Sequence, residues 1–308
     1  MRELVVLGTA SQVPTRERNP NACFLRWDEH GILLDPGEGA QRQLTLAGIP
    51  VSAITMICIT HFHGDHCLGL PGIIQRLSLD RVAHPVDVYF PAGGLPYFDR
   101  LRNAAAFHDA PELVVHPLDP RGAAVDAPAF RLIATPLDHR GETLGYRLEE
   151  PARRRMLPDR LEPLGIRGPE VGRLVREGTI GARGRTVAIE EVSEIRPGQR
   201  FAFVMDTRLC DGAFVLAEQA DLLVCESTYL SAEEGLATEY RHLTAAHAAR
   251  IAAEGRARRL VLSHYSQRHP DESEFEAEAS TIFPDAVAAR DLSRFSLPRR
   301  RSNDGRRI

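Results

Sequence analysis

The chain has 308 residues, with 42 Asp and Glu against 38 Lys and Arg for a formal net charge of −4, and it is 43% hydrophobic and 26% charged. This composition excludes disordered, collagen-like and disulfide-scaffold classes, and the length corresponds to one large or two ordinary domains that can bury most of the unfolded surface. No apolar run approaches the ~18 to 20 residues that span a bilayer, the N-terminal MRELVVLGTASQVPT has no signal-peptide pattern, and Cys23, Cys58, Cys67, Cys210 and Cys225 form no C-x-x-C pair, so a cytoplasmic protein with reduced thiols and no membrane partner is expected.

The apolar run ELVVLG at 3–8 predicts a strand, and 23–27 with 31–34 predict a hairpin closed by Asp28, Glu29 and His30. Asp35-Pro36-Gly37 breaks its second strand. Helical spacing follows at 38–47, then a buried strand at 53–60 (AITMICIT). Helices are predicted at 68–79, 97–105 and, rich in alanine, 244–254. Strands are predicted at 85–90, 112–116, 130–135, 144–148, 200–205, 222–226 and 259–263, so the chain reads as α/β. Within a single domain 1–308, the segment 151–198 is rich in Arg, Pro and Gly and sparse in apolar residues, which predicts an inserted arm rather than a second cored domain. Nine arginines against four acidic residues give 153–185 a charge of +5, opposite in sign to the whole chain; every one of the chain's basic residues is arginine. The polar tail 298–308, with Arg299, Arg300, Arg301, Arg306 and Arg307, is expected to be mobile.

The densest chemistry is His61-Phe62-His63-Gly64-Asp65-His66, three imidazoles and a carboxylate in six residues just past a buried strand. Metal binding accounts for such a density, with zinc favoured by imidazole and carboxylate donors and manganese or iron behind it. In an extended segment His61 and His63 point the same way, which leaves Asp65 and His66 for a neighbouring ion. His139 in TPLDHRGETLGY, Asp206 in FVMDTR and His264 in LVLSHYSQRH each stand where a predicted strand stops, placed to converge on a cleft.

This set of motifs resembles the metallo-β-lactamase superfamily and, within it, is similar to the ribonuclease Z family of tRNA 3′ endonucleases. LGTASQVPTRERN, LLDPGEGAQRQL, ITHFHGDHCLGLPG, DHRGETLGYRLEE, MDTRLC, ESTYL and LVLSHYSQRH occur in the family's order, and the arm holds LGIRGP. The resemblance implies a four-layer αβ/βα sandwich with an inserted arm. It also implies two Zn2+ per subunit (or Mn2+), with His61, His63 and His139 on one ion, Asp65, His66 and His264 on the other, and Asp206 bridging. Asp65 is the candidate to orient or deprotonate the attacking water, or is a ligand alone. Glu226 in CEST and His242 in RHLT match the carboxylate and histidine that protonate the leaving oxygen; read from spacing alone, His242 is a helix-start residue beside a cap. Departures from the family pattern are Cys225, Ser227, Leu243, Met205 and Arg16, none of which removes a ligand or proton donor. The implied activity is removal of the 3′ trailer from precursor tRNA, leaving a tRNA 3′-hydroxyl and a 5′-phosphorylated trailer, by a homodimer whose arm binds tRNA. A hydrolase of small phosphodiesters or thioesters, and a non-catalytic binding protein on the same fold, are the competing readings.

Overall fold

Along the first strand, Arg2–Gly8, Leu4 and Val6 enter one core while Val5 and Leu7 enter another, and all four are buried. An unbroken apolar strand therefore reports a sheet covered on both faces. The computed structural model describes residues 2–106 and 112–298, so the expected mobile tail at 298–308 lies, all but Pro298, outside the described residues. Two units are distinguished, residues 2–149 with 200–298, and residues 150–199.

The larger unit holds two seven-stranded sheets. The first runs Arg294–Ser296, Arg2–Gly8, Ala22–Trp27, His30–Leu34, Met56–Cys58, Val86–Pro91, Leu113–Leu118. The second runs Ala286–Ala288, Leu260–Ser263, Leu222–Glu226, Arg200–Val204, Leu144–Glu149, Arg131–Pro136, Ala123–Asp126. Between them Trp27, Leu25 and Leu34 meet Tyr146, Phe201 and Phe203 in one core. The outer face of the first sheet packs on helices Ala40–Leu46, Leu70–Leu79 and Leu95–Arg102 through Leu44, Ile73, Ile74 and Phe98. The outer face of the second packs on Asp211–Ala217, Ala245–Glu254 and Ser273–Ser280. Helix, sheet, sheet, helix is the four-layer sandwich expected from the motifs.

Most elements fall within two residues of their sequence positions. The predicted strand 53–60 shrinks to Met56–Cys58, because Pro50 starts a 3-10 turn at Val51–Ala53. The predicted helix 68–79 is preceded by a separate short one, Gly64–Cys67, and then runs Leu70–Leu79 with Pro71 in its first turn, where its missing N–H costs nothing. The short edge strands Ala123–Asp126, Ala286–Ala288 and Arg294–Ser296 carry too little pattern to be read from sequence.

The smaller unit pairs Arg153–Met156 with Ser193–Arg196 and Thr179–Ala182 with Arg185–Ala188, around the helix Pro169–Glu177. It corrects the expectation of a segment without a core: Leu161, Ile166, Leu174, Ile180, Val187, Ile189 and Val192 are buried together. They stand in apolar runs of three residues at most, so no strand-length apolar run announces them. Its charge is also lower than the 153–185 window suggests. Glu150, Glu190, Glu191 and Glu194 flank that window, and residues 150–199 hold ten arginines against eight carboxylates, a net +2. Arg154, Arg155 and Arg185 pair with Glu190, Glu194 and Glu191. No described helix is long and apolar enough to cross a membrane. All five cysteines are free, and four of them are buried.

Candidate metal centre

Strand register delivers the site. Val204 lies beside Cys225 in a parallel pair, and Glu226 lies beside Ser263 in the next, so Asp206, Glu226 and His264 emerge at one edge of the second sheet. From the first sheet, the chain leaves Met56–Cys58 extended through His61 and His63, then turns into the helix Gly64–Cys67, which carries Asp65 and His66. Asp206 and His264 take φ of +40° and +64°, values rarely adopted by residues other than glycine and concentrated where function over-determines the backbone.

The ligand atoms fall into two main clusters, His61, His63, His139 and Asp206, and Asp65, His66 and His264; a third group, Asp206, His242 and His264, overlaps both. Asp206 Oδ2 is 3.6 Å from His61 Nε2 and 3.7 Å from His139 Nε2. Its Oδ1 is 3.3 Å from His66 Nε2 and 3.2 Å from His264 Nε2. One carboxylate thus offers an oxygen to each cluster. Asp65 Oδ2 is 3.4 Å from His66 Nε2 and 3.3 Å from His264 Nε2, and it accepts the Gln12 backbone N–H at 2.7 Å.

Further residues orient these groups, and sequence reasoning missed them. Asp35 is fully buried, accepts the Thr60 N–H and hydroxyl at 2.7 and 2.8 Å, and lies 2.8 Å from His66 Nδ1, so that Nε2 faces the cluster. The Arg241 carbonyl is 3.0 Å from His139 Nδ1. Thr228 Oγ1 donates to Glu226 at 2.6 Å and sits 3.0 Å from His264 Nδ1. Asp35 alone had a sequence signal, a carboxylate ending the apolar strand GILL; it reads first as a turn residue. Gly37 permits the close passage of the helix start, since a Cβ there would overlap the Asp65 carbonyl.

Glu226 and His242 form a second buried pair, Oε1 to Nδ1 at 2.9 Å, and Glu226 also accepts the Thr207 N–H at 2.7 Å. Burial opposes a charged imidazole, but Glu226 and then Asp206 raise the His242 pKa to about 9. Burial likewise opposes charge on His66, and Asp206, Asp65 and Asp35 overcome it and hold its pKa well above the ordinary histidine value. At Asp206 burial is outweighed by His264, His66 and His242, which hold the carboxyl well below the usual range.

The residues fit divalent cations. His66 Nε2 and Asp206 Oδ1 are buried without a hydrogen-bond partner, an arrangement that costs roughly 1–3 kcal/mol per group unless something binds them. Imidazole nitrogens and carboxylate oxygens facing one another, with their outer nitrogens and oxygens already fixed, are the donor set of a zinc-type site.

The family model of the metallo-β-lactamase superfamily matches residues 15–155. The chain is 59% identical to the Ribonuclease Z of Salinispora arenicola, over 97% of both chains. It is 42% identical to that of Chlamydia caviae, over 98% of this chain and 99% of the other. Among solved structures it is similar to human tRNase Z, short form, with a TM-score of 0.71 and 26% identity over 96% and 99% of the two chains. It also shares its fold with YhfI of Bacillus subtilis, TM-score 0.70 and 15% identity over 96% and 98%.

Because Asp35 aims His66, Asp35→Asn should weaken binding of the ion at Asp65, His66 and His264 by about 10- to 100-fold while the other site keeps its affinity. Calorimetric zinc titration of the stripped protein checks this, and two unchanged affinities would remove Asp35 from the role. The same titration at neutral pH should release protons, since His66 is held protonated without metal and binds an ion only as the neutral base. The measured heat should then vary with the ionisation enthalpy of the buffer.

Proposed function

The chain belongs to the ribonuclease Z family, and on that footing we propose that it removes the 3′ trailer from precursor tRNA as a metal-dependent endonuclease. The observation that carries this reading is the complete double cluster bridged by Asp206, beside a buried carboxylate–histidine pair. In the proposed arrangement His61, His63 and His139 hold one ion, Asp65, His66 and His264 the other, and zinc suits both. Two divalent ions, when bound, neutralise a phosphodiester's charge and acidify water for attack.

The chain's own residues supply the rest. Asp65, fixed by the Gln12 N–H, accepts the proton of the attacking water. His242, charged at neutral pH, donates a proton to the leaving O3′ of the tRNA. The products are a 3′-hydroxyl on the tRNA and a 5′-phosphate on the trailer. Glu226 holds the His242 ring in place through Nδ1, leaving Nε2 to face the leaving oxygen. Thr228, bonded to Glu226 and beside His264, ties this donor to the metal cluster.

The reading extends to the unit at 150–199 as a tRNA-binding element, to a homodimer, and to the cytoplasm as the place of action. Arg176, Arg183 and Arg196 of that unit are exposed, and no described carboxylate lies within 4.0 Å of them, which leaves them for phosphate. Leu46 and Leu79, 52% and 75% exposed on two helices of the larger unit, are apolar surface that a partner subunit could cover.

His242→Ala should lower the single-turnover rate on precursor tRNA by ~10² to 10⁴ with affinity nearly unchanged. An unaltered rate across the pH range would exclude the proton-donor role. Since His242 must carry its proton, the wild-type rate should decline as pH rises towards about 9. Removing the charge that raises its pKa, in Glu226→Gln, should shift this decline to lower pH.

Replacing 151–198 by a short Gly/Ser linker should weaken precursor binding and flatten its dependence on salt, each lost phosphate contact reducing the slope by about 0.7 to 0.9. Hydrolysis of a chromogenic phosphodiester should continue. Unchanged binding of precursor tRNA would show that the arm is not the binding element.

A further inference from the structure

A second cavity, about 280 Å³, adjoins the metal cluster. Phe62, Tyr97, Arg140 and Glu142 line it together with His61 and His63. His242 instead borders the cleft of about 390 Å³ over Asp65 and Asp206, which shares His63 and Arg140 with the second cavity. The site thus opens in two directions, only one of which leads to the proton donor.

The second direction carries the features of a nucleotide subsite. Tyr97, on the helix Leu95–Arg102, is 51% exposed although aromatic, and it stacks on Phe62 with centroids 5.8 Å apart and planes at 24°. Phe62 is held from behind by Phe90, edge-on at 5.4 Å, and a Cβ on Gly94 would overlap its ring, so glycine is required there. The Arg100 guanidinium lies 5.6 Å from the Tyr97 centroid, a planar cation that a base can displace or sandwich.

Arg140 is exposed and held only loosely, 5.7 Å over the Tyr240 ring and 3.4 Å from the Glu239 carbonyl. No described carboxylate lies within 4.0 Å of it, whereas Arg208 and Arg241 are both bound to Asp138, at 2.7 and 3.2 Å. An exposed aromatic beside an uncommitted guanidinium is how single strands are held, the base by stacking and the backbone by charge.

We propose that this cavity seats the first nucleotide of the trailer, its base against Tyr97 and the phosphate that follows it on Arg140. The proposal rests on the precursor tRNA reading above. Its direction follows from the chemistry: O3′ leaves at His242, so the tRNA side of the scissile phosphate occupies the cleft bordered by His242. The nucleotide joined through O5′ continues past His61 and His63, away from the donor.

The test compares a precursor tRNA transcript with one whose first trailer nucleotide is abasic. Wild type should cut the abasic precursor roughly 10-fold more slowly at limiting enzyme. Tyr97→Ala should cut the intact precursor at that reduced rate and show no further loss on the abasic one, whereas Tyr97→Phe, which keeps the ring, should behave as wild type. On a precursor whose scissile linkage cannot be hydrolysed, 2-aminopurine at the first trailer position should be quenched on binding wild type and not Tyr97→Ala. Arg140→Gln should reduce the salt slope of binding by about 0.7. Additive losses in Tyr97→Ala and the abasic substrate, or equal quenching by both proteins, would overturn the subsite. Failure of wild type to cut the intact precursor is a different result and overturns the reading of function itself.

Discussion

Asp206 is the constraint around which the site is built. Its two oxygens face different histidine clusters, His61 and His139 on one side and His66 and His264 on the other, at 3.2 to 3.7 Å. A carboxylate so placed is nearly removed from water, at 3% exposure, and its charge is tolerable only against several cationic or metal-bound neighbours. A backbone φ of +40° is the local cost of delivering it from the end of an apolar strand. Any change that moved this strand relative to its neighbours would separate the two clusters together.

The sheets provide the required rigidity. Arg200–Val204, Leu222–Glu226 and Leu260–Ser263 run parallel and in register, so their C-terminal ends bring Asp206, Glu226 and His264 side by side without any long loop. Residues just past parallel strand ends are natural places for polar chemistry, because the ladder bonds stop there and side chains meet a crevice. The histidines of the first sheet arrive the same way from Met56–Cys58, and Tyr146 of the second sheet donates its hydroxyl to the Ile59 carbonyl at 2.7 Å, fixing one sheet's exit to the other. Helices Leu70–Leu79 and Ala245–Glu254 then press the outer faces with Ile73, Ile74, Ala248 and Ala252.

The legible part of the site was the part written in local density. Three imidazoles in six residues after AITMICIT can be recognised without a fold, and His139, Asp206 and His264 stand out as ionisable groups at strand ends. Asp35, Arg241 and Thr228 could not be read in this way, because their contributions are contacts across 31, 102 and 36 residues of sequence. Nothing in an isolated DPGEG says that its aspartate is buried against His66 rather than capping a turn. The arm failed for a different reason: seven apolar residues, scattered in apolar runs of three at most, form a core only once two strand pairs and a helix fold over them. Its apparent charge depended on a window that stopped short of Glu190, Glu191 and Glu194.

Electrostatics then explains how a chain of net charge −4 can take a polyanion. The ligand clusters contain two carboxylates, Asp65 and Asp206, and Glu38 lines the same cleft, so any divalent cation held there would add positive charge to the surface that the cleft presents. Bound metal would therefore do more than supply chemistry: it would make the surface that meets a phosphate more positive. In the larger unit Arg208 and Arg241 are committed to Asp138, and in the smaller unit Arg154, Arg155 and Arg185 are committed to glutamates of their own. Affinity is then governed by the few that are not, and by stacking on exposed rings, rather than by the total number of arginines. An overall negative charge is compatible with binding a polyanion, because a binding site needs uncommitted positive charge only where the phosphate lies.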